Sequence, residues 1–528
     1  MATARRVLFE HDGRHPNIYL YEPPMTVEQF QFCVDEIVGT SVDTLMFFLG
    51  DGRTFLHDTQ VGELWGHNVE RWNHLVFYRA HENARRLIES GHDQLRIVCE
   101  RAHEKGLDFF PSLLVQQPSE DRDTTSGRCS DFRFDNRHLE IGAVDGLPEG
   151  SPATRMLDFA HEAVRDERFA ILDEVMTHYP IDGLELHLAY GYPYFKPSET
   201  EAHLETMTAW IHRIRDRMRE VSAQQHRPME LAVQVPASIE GCRSIGLDLP
   251  RWIDAGLVDL VVPVSLDRSS ERLQADVPVA PFVEAAQGTP CRVYGYIGSA
   301  LDNDRLAHGT LAHMRAAACA QYRQGVDGIY LAGYYGRFPY HPEDYEILRE
   351  MAHPDIMAWK DKHYVVPTEL QRWPDRAGHF GYVRPLPAPL SEGGPPAVIP
   401  LPIADDLARA DGHGRLHRVG LRVRITGITP DDHYRVCLNG AELPDALCRR
   451  LDFTYRMNAA RFRVGRYYWF DYTLDRAHLP VPGENTVEIT LLHRDPRVSV
   501  PVQVRDVELE IEYTEGRNRP RRDEMLRN

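Results

Sequence analysis

The stretch IDGLELHLA, residues Ile181–Ala189, decides how the first two thirds of this chain are interpreted. Leucine occupies every second position from residue 184 to residue 188, and glycine, glutamate, histidine and alanine stand on either side of the leucines. Successive side chains of a β-strand point to opposite faces, so the leucines share one face, and Glu185 and His187 share the other. The pattern predicts a strand that packs its leucines under helices and turns a carboxyl group and an imidazole the other way.

Seven further runs of this kind flank the stretch, and segments with helical periodicity separate them. Strands that alternate with helices form parallel sheets, and eight such repeats close a barrel. We therefore predict an α/β fold with a (β/α)8 TIM barrel over residues 1–360. The eight predicted strands are Val7–Asp12, Thr44–Gly50, Leu107–Gln116, Ile181–Ala189, Glu230–Ala237, Val258–Leu266, Arg292–Gly298 and Gly328–Gly333.

The character of the chain changes after the predicted barrel. Residues 384–402 are rich in proline and glycine, and we assign residues 361–396 as a linker and boundary region. Beyond it, apolar residues recur with period two and helical periodicity almost disappears, which predicts a C-terminal antiparallel β-sandwich over residues 397–516. The polar and basic residues 517–528 are expected to form a disordered tail.

Two Asp-Gly pairs, which begin at Asp182 and Asp327, stand directly before predicted strands. A proline or glycine ends the helix before each pair, and aspartate suits the tight turn that follows. These turns lie at the bottom face of the barrel, opposite the end where barrel enzymes carry out chemistry. We therefore predict structural roles for both aspartates.

Composition and charge narrow the class of partner. The 528 residues are 42% apolar and 26% charged, with a net charge of -19. Binding of phosphate groups needs clustered Lys and Arg, so the negative net charge argues against a nucleic-acid partner. No apolar run approaches the roughly 20 residues that span a bilayer. We expect a soluble, cytoplasmic protein that binds neither nucleic acid nor membrane, and a homo-oligomeric state is left open. The eight cysteines lack metal-site spacing, so neither a metal nor a cofactor is expected.

Glu185 is the first candidate for chemistry, because barrel enzymes place catalytic groups near the C-terminal ends of their strands. Burial disfavours the charged form of a carboxyl group and raises its pKa toward the range of a general acid. The alternative is that Glu185 and His187 only form a satisfied polar network inside the barrel. Other strand ends supply partners: Asp267, Asp51 or Asp12 as a second carboxylate, and Gln116, Gln234, His11 and Glu10 as further polar residues.

Tyrosines gather at the same strand ends. Rings around a polar cleft stack on sugar rings, and Gln, His and Asp side chains bond the hydroxyl groups. The loops after the seventh and eighth strands lack a glycine-rich phosphate-binding pattern, so a neutral glycoside or oligosaccharide is a better candidate substrate than a sugar phosphate. The predicted substrate-binding residues are His187, Gln116, Gln234, Tyr190, Tyr192, Tyr294, Tyr296, Tyr334, His11 and Asp12.

The segment LDFAHEAVR, residues 157–165, followed by IDGLELH, residues 181–187, resembles a group of barrel proteins labelled glycoside hydrolase family 10-like. Proteins of this group join a helix of the Asp-Tyr/Phe-Ala-His-x-x-Val-Arg type to a strand of the Asp-Gly-Leu-Glu-Leu-Asp type. Shorter similar segments, such as GVDGIY at residues 325–330, extend the resemblance over most of residues 105–335. The resemblance implies a TIM barrel with glycosidase activity.

The chain departs from the family pattern at two places. His187 stands where the group usually has aspartate, and the predicted seventh strand, Arg292–Gly298, contains no carboxylate. Xylanases of the true family place a nucleophilic glutamate on that strand and an Asn-Glu pair after the fourth. The resemblance therefore does not imply a xylanase-type retaining mechanism, and it leaves an inverting mechanism or a lost activity open.

From the sequence we predict a glycoside hydrolase in which Glu185 is the general acid, His187 orients it, and Asp267 or Asp51 is the base or nucleophile. Two alternatives stay open. The first is a non-catalytic carbohydrate-binding protein with a degenerate barrel site. The second is a metal-assisted hydrolase or isomerase that uses His11, Asp12, Glu185 and His187 as ligands.

Overall fold

The computed structural model describes residues 7–51, 53–116, 127–128, 130–148, 150–265, 272–301, 308–368, 384–451 and 468–515. Eight parallel strands close into a barrel in which each strand pairs with the next along the chain, and the last pairs with the first. The predicted (β/α)8 barrel is confirmed. Its strands are β1 Val7–His11, β2 Thr44–Phe48, β3 Asp108–Leu114, β4 Gly183–His187, β5 Glu230–Pro236, β6 Leu260–Val264, β7 Arg292–Gly298 and β8 Gly328–Ala332.

Helices cover the outside of the barrel, and local sequence signals start several of them. The Thr26 side chain accepts a hydrogen bond from the Gln29 N–H at the start of the first helix, and Ser238 does the same for Gly241. The helices described in this part of the chain are α1 Val27–Asp35, α2 Leu75–Glu89, α3 Gln94–Glu104, α4 Asp131–Asp135, α5 Glu162–His178, α6 Leu204–Gln225, α7 Ile239–Ser244, α8 Leu249–Asp254, α9 Ala280–Ala286, α10 Leu311–Arg323, α11 Pro342–Glu350 and α12 Pro354–Met357.

The strands divide their side chains between two cores. Leu184 and Leu186 of β4, and Leu188 just after it, belong to the large core between strands and helices, as the alternation predicts. A smaller core fills the barrel lumen, so the barrel encloses packed side chains rather than a pore. At Gly183, an added Cβ would lie 2.2 Å from the ring of Phe110, because that ring already occupies the lumen there.

A three-stranded sheet follows β2 and is formed by Gly50–Asp51, Thr54–Phe55 and Glu63–Leu64. The segment that contains these three strands packs against α2 and against the short helical turn Pro16–Leu20, which follows β1. The buried side chains of this contact are Ile18, Leu56, Trp65, Ala80 and Ala84. This subdomain therefore stands beside the C-terminal ends of β1 and β2.

The C-terminal part forms two antiparallel sheets, as predicted. Its strands are β9 Lys362–Val365, β10 Ala388–Leu390, β11 Ala397–Pro400, β12 Leu416–Thr426, β13 His433–Leu438, β14 Ala441–Glu442, β15 Cys448–Leu451, β16 Tyr468–Thr473, β17 Thr486–His493 and β18 Val502–Tyr513, and helix α13 spans Leu407–Gly412. In the first sheet, five strands pair in the order β9-β18-β12-β16-β15, and β10 also pairs with β18. The second sheet has the order β11-β17-β13-β14.

The predicted linker, residues 361–396, contains the strands β9 and β10, which both pair with β18 of the C-terminal sheet. Helix α10 of the barrel packs against β9, and Ala316 of this helix is part of the C-terminal core. The predicted tail, residues 517–528, lies outside the described residues. Across the described ranges, no helix combines the length and the hydropathy needed to cross a membrane.

Aspartates at the bottom of the barrel repeat one hydrogen bond three times. Asp182, just before β4, accepts from the Phe109 N–H of β3 at 2.9 Å. Asp259 and Asp327 accept in the same way from the second residue of β5 and of β7, each at 2.8 Å. Each bond ties a strand to the one before it, at the face opposite the predicted site. This geometry agrees with the structural roles expected for Asp182 and Asp327.

We expect Asp182→Ala to lower the free energy of unfolding by about 1–3 kcal/mol, because the buried Phe109 N–H and the paired Arg227 guanidinium lose their acceptor. Asp182→Asn keeps an acceptor oxygen and should lose less. Urea denaturation followed by circular dichroism measures both variants. Equal stability of Asp182→Ala and the parent protein would show that this bond does not stabilise the barrel.

Candidate active site

Hydrogen bonds link β4, β5 and β8 across the barrel lumen at Glu185. Gln234 Nε2 on β5 donates to Glu185 Oε1 at 3.0 Å and to the Tyr330 hydroxyl oxygen at 2.7 Å. The Tyr330 hydroxyl on β8 lies 3.2 Å from Glu185 Oε2. Both oxygens of the carboxyl group are thereby held, so the group has one fixed orientation.

A second carboxylate, Glu10 of β1, also lies within hydrogen-bond distance of the Tyr330 hydroxyl. Its Oε2 is 3.4 Å from the same hydroxyl group. A tyrosine has one hydroxyl proton, so at any moment it donates to only one of the two carboxyl groups. The two bond lengths limit the separation of the bonded Glu10 and Glu185 oxygens to at most about 6.6 Å, and both carboxyl groups share the Tyr330 hydroxyl.

Glu185 is fully buried, with 0% of its surface exposed. Burial raises the pKa of its carboxyl group from 4.5 to about 7, and hydrogen bonds from Gln234 and Tyr330 oppose part of that rise. Near neutral pH the protonated and ionised forms are therefore both populated. A carboxyl group in this state is suited to act as a general acid.

His187 lies two residues further along β4, closer to the C-terminal face of the barrel, and is only 4% exposed. Its ring contacts the rings of Phe48 and Tyr190, with centroids at 5.8 and 5.6 Å. Neither ring nitrogen has a hydrogen-bond partner among the described residues. Burial lowers the pKa of His187 to about 3, so the ring is neutral at neutral pH and offers one donor and one acceptor.

Gln234 stands next to His187 in the register of β5 against β4. Its amide nitrogen is used by Glu185 and Tyr330, whereas its Oε1 has no hydrogen-bond partner within the described part of the chain. Buried polar atoms are normally satisfied by protein, water or ligand. The neighbouring unsatisfied atoms of His187 and Gln234 therefore mark a place where a polar ligand group gains hydrogen bonds.

Two of the residues predicted from strand ends are engaged with loops instead. Gln116 donates to the carbonyl oxygens of Leu157 and Pro193 and accepts from the Leu157 N–H, so its amide joins the segments after β3 and β4. The Tyr334 hydroxyl bonds Asp344 at the start of α11. Neither side chain has polar atoms left for a substrate at the lumen.

The predicted residues after β1 also bond locally. His11 Nδ1 accepts from the Gly13 N–H, and the ring stacks on Phe47, outside the lumen. Asp12 Oδ1 accepts from the N–H groups of Arg14 and His15 and so shapes the loop. His11 and Asp12 therefore do not join Glu185 in the lumen.

Four predicted tyrosines occupy different places. Tyr294 and Tyr296 of β7 lie in the lumen core, where the ring of Tyr296 stacks on Tyr330 at 5.7 Å. Tyr190 is half-buried beside His187. Tyr192 is half-buried against the large core. Tyr190 is therefore the one of these four that combines partial exposure with a contact to a site residue.

The predicted second carboxylate is not placed by the structure. Asp267 lies outside the described residues. The backbone of Asp51 belongs to the strand Gly50–Asp51, and its side chain is outside the description. Both assignments stay predictions. For the metal-assisted alternative, the described residues contain no group of three or more His, Cys, Asp or Glu side chains arranged to hold an ion.

Sequence reasoning named Glu10 as a further polar residue, but it selected neither Glu10 nor Tyr330 for the site. The alternation on β8 contained the signal, because Ile329 and Leu331 face outward and leave Tyr330 in the lumen. The same argument applies to Glu10, which lies between the outward-facing Phe9 and His11. A tyrosine at a lumen position needs a partner for its hydroxyl, and this requirement points to the carboxylates.

No protein-family model matches this chain, and no curated protein matches it. Solved structures similar to it include an α-L-fucosidase from Paenibacillus thiaminolyticus, with 12% identity, a TM-score of 0.43, and coverage of 66% of this chain and 49% of that one. Another is a GH36 α-galactosidase from Geobacillus stearothermophilus in complex with stachyose, with 11% identity, a TM-score of 0.37, and coverage of 92% and 55%.

This chain thus spans about half the length of those two enzymes. A GH20 β-N-acetylhexosaminidase from Streptomyces coelicolor A3(2) is also similar, with 12% identity, a TM-score of 0.30, and coverage of 60% of this chain and 50% of that one. At these identities and TM-scores the similarities carry no argument about activity. The fold assignment rests on the closed barrel itself, and the resemblance to the family 10-like group stays a prediction.

The raised pKa of Glu185 has a consequence for stability. Between pH 4.5 and about 7 the folded protein binds a proton that the unfolded chain has released, so the free energy of unfolding falls as the pH rises through this range. Glutamine at this position does not titrate. We expect the stability of Glu185→Gln relative to the parent protein to rise by roughly 3 kcal/mol between these pH values. Urea denaturation at several pH values measures it, and a difference that is constant with pH would contradict the raised pKa.

Proposed function

We propose that this protein is a carbohydrate-active enzyme, a glycoside hydrolase in which Glu185 is the general acid. The observation that carries the proposal is the buried, doubly held carboxyl group of Glu185, whose pKa of about 7 keeps a proton available at neutral pH. Gln234 and Tyr330 keep this group in one orientation. The position of the group in a barrel lumen, below the face where barrel enzymes bind substrate, supports the same role.

The proposed substrate is an uncharged glycoside. His187 offers one donor and one acceptor, and Gln234 Oε1 beside it offers another acceptor. A sugar hydroxyl group both donates and accepts, so it matches this set, whereas a charged group would be poorly solvated among the rings of Phe48 and Tyr190. We assign His187 and Gln234 to substrate binding on this basis.

Transfer of the Glu185 proton to a substrate requires a side chain above it to move aside, because Glu185 has no exposed surface, and we propose that the His187 ring, two residues further along β4, is the one that moves. This movement breaks no side-chain hydrogen bond of His187 to a described residue, so its cost is limited to lost packing. The second carboxylate of the reaction is proposed to be Asp267 or Asp51, which follow the C-terminal ends of β6 and of β2. Glu10, buried in the lumen, is bonded to the Tyr330 hydroxyl and is not assigned this role.

The complete burial of Glu185 also favours a second candidate, a carbohydrate-binding protein without catalysis. In that case the Glu185 network only stabilises the lumen, and His187 and Gln234 hold a sugar above it. The two candidates predict the same ligand class and different fates for it. Turnover therefore separates them, whereas affinity does not.

Replacement of Glu185 with Gln tests the acid role. The variant keeps the shape of the side chain and loses the proton, and we expect turnover to fall by about 10²–10⁴-fold. The assay is hydrolysis of a panel of nitrophenyl glycosides and oligosaccharides. Glu36→Gln is the matched control, since Glu36 is another buried glutamate, 6% exposed, at the end of α1 and outside the lumen.

Unchanged turnover in Glu185→Gln would rule out Glu185 as the acid. Binding of sugars by the parent protein, with no hydrolysis of any of them, would favour the non-catalytic candidate. Loss of turnover in both Glu185→Gln and Glu36→Gln would indicate a general effect of removing buried carboxylates. Thermal melts of each variant confirm that the fold is retained.

The hydroxyl group of Tyr330 should set the pH range of activity. Its hydrogen bond lowers the pKa of Glu185, so Tyr330→Phe should raise that pKa and move the alkaline limb of the kcat profile to higher pH. Tyr296→Phe, which removes a hydroxyl group from the adjacent stacked ring, is the control and should leave the limb in place. Identical pH profiles for Tyr330→Phe and the parent protein would show that the Tyr330 hydroxyl does not set the pKa of the acid.

A further inference from the structure

The Tyr330 hydroxyl group has two carboxyl groups as partners and only one proton to give them. Its oxygen accepts a hydrogen bond from Gln234 Nε2 at 2.7 Å. Glu185 Oε2 and Glu10 Oε2 lie 3.2 and 3.4 Å from the same oxygen. A tyrosine hydroxyl donates one hydrogen bond at a time. The state of one carboxyl group therefore determines what the hydroxyl offers to the other.

Tyr330 itself stays protonated near neutral pH. Burial raises the pKa of its phenol group well above the usual value, and the charges of Glu185 and Glu10 raise it further. The chain of groups from Glu10 through Tyr330 to Glu185 thus changes its charge only through the two carboxyl groups. The hydroxyl group connects them without becoming ionised itself.

The two carboxyl groups are buried in the same small space. Both lie in the barrel lumen with almost no exposed surface, and their bonded oxygens are at most about 6.6 Å apart. Apolar side chains and tyrosine rings form the core around them. Two negative charges at this distance repel each other strongly, because little water screens them. Loss of the second proton is therefore harder than loss of the first.

Other titratable groups also face the lumen from the eight strands. Burial lowers the pKa of His187 to about 3, so its ring is uncharged at neutral pH. Arg292 and Glu230 bond to each other at the bottom ends of β7 and β5. Of the described groups, only Glu10 and Glu185 are joined through one hydroxyl group. The complete set on the lumen side, apart from Glu10, Glu185 and Tyr330, is Asp108, His187, Glu230, Arg292, Tyr294 and Tyr296.

We propose that Glu10 and Glu185 share one proton through the Tyr330 hydroxyl, and that Glu10 is thereby a positioning residue that keeps the proposed acid protonated. The role of Glu185 as acid rests on the proposed function, whereas the sharing of the proton does not. In the exchange, the Tyr330 proton passes to Glu185 as the Glu10 proton passes to the Tyr330 oxygen. One proton is transferred in total, and the negative charge moves from Glu185 to Glu10.

The same hydroxyl group serves both states of the proposed acid. While Glu185 is protonated, the Tyr330 hydroxyl donates to the Glu10 carboxylate. Once Glu185 has protonated a leaving group, the hydroxyl turns to the new carboxylate and stabilises it. The alternative is that Glu10 only fills the lumen and Glu185 titrates by itself. In that case, a neutral side chain of the same shape at residue 10 leaves the titration of Glu185 unchanged.

Infrared spectroscopy of the full chain tests the proposal without a substrate. The C=O stretch of protonated Glu185 is the band that Glu185→Gln removes, and its loss is followed as the pH rises. In Glu10→Gln the pH of half loss should fall by about 1–2 units, because the like charge is gone and an amide competes less for the Tyr330 hydroxyl. Glu36→Gln is the matched control, since Glu36 is a buried glutamate outside the lumen whose carboxyl oxygens have no hydrogen-bond partner among the described residues. It should leave this band in place.

Two further variants separate the hydroxyl group from the charge. In the Tyr330→Phe background, the shift caused by Glu10→Gln should be smaller, because part of it comes from a hydroxyl that then donates to Glu185 alone. Glu10→Asp keeps the charge but withdraws it from the hydroxyl by one methylene group. It should shift the band in the same direction by less, and it replaces Glu10→Gln if that variant does not fold. In the kcat profile, Glu10→Gln should move the alkaline limb to lower pH, opposite to Tyr330→Phe.

An unchanged pH of half loss in Glu10→Gln and Glu10→Asp, with thermal melts that show a retained fold, overturns the inference. An equal shift with and without the Tyr330 hydroxyl would mean that the carboxyl groups interact only through space, and it overturns the sharing. A shifted band in a protein that hydrolyses no glycoside supports the shared proton and contradicts the proposed function. Hydrolysis by the parent protein, with a band that Glu10 does not affect, gives the reverse result.

Discussion

Closure of eight strands around a filled lumen is the constraint on which the site depends. Every second side chain of each strand points into that lumen, and one of the side chains from β4 is Glu185. An isolated carboxylate is costly there, so burial raises the pKa of Glu185 to about 7, and hydrogen bonds from Gln234 and Tyr330 offset part of that cost. The packing that stabilises the barrel thereby also sets the proton affinity of the proposed acid.

Hydrogen-bond satisfaction separates structural from ligand-binding polar groups in this barrel. Gln116 bonds the backbone of Leu157 and Pro193, and Asp182 bonds the Phe109 N–H and the Arg227 guanidinium, so each joins neighbouring strands or loops. His187 and Gln234 Oε1 are buried and lack partners within the described residues. Because a buried unsatisfied group costs about 1–3 kcal/mol, a ligand that satisfies it recovers that energy. The polar residues of the barrel thus differ in what they have left to bond.

Strand alternation predicted the lumen positions of Glu185, His187 and Gln234, because the period of a strand is a local property. It did not separate Gln116 from Gln234, although both are glutamines near strand ends. The difference lies in loops that are distant in sequence: Leu157 and Pro193 approach Gln116 and take up its hydrogen bonds. The role of Tyr330 was missed for a related reason, since its partner Glu185 is 145 residues away along the chain.

By itself the sequence determined the barrel, the β-rich C-terminal part and the side of β4 on which Glu185 lies, since periodicity and turn residues act over a few neighbouring positions. Only the tertiary structure decided that Glu185 has no exposed surface, that Tyr330 links it to Glu10, and that the ring of His11 contacts that of Tyr335. These features depend on closure, which brings the first strand beside the eighth and places segments more than 300 residues apart in contact.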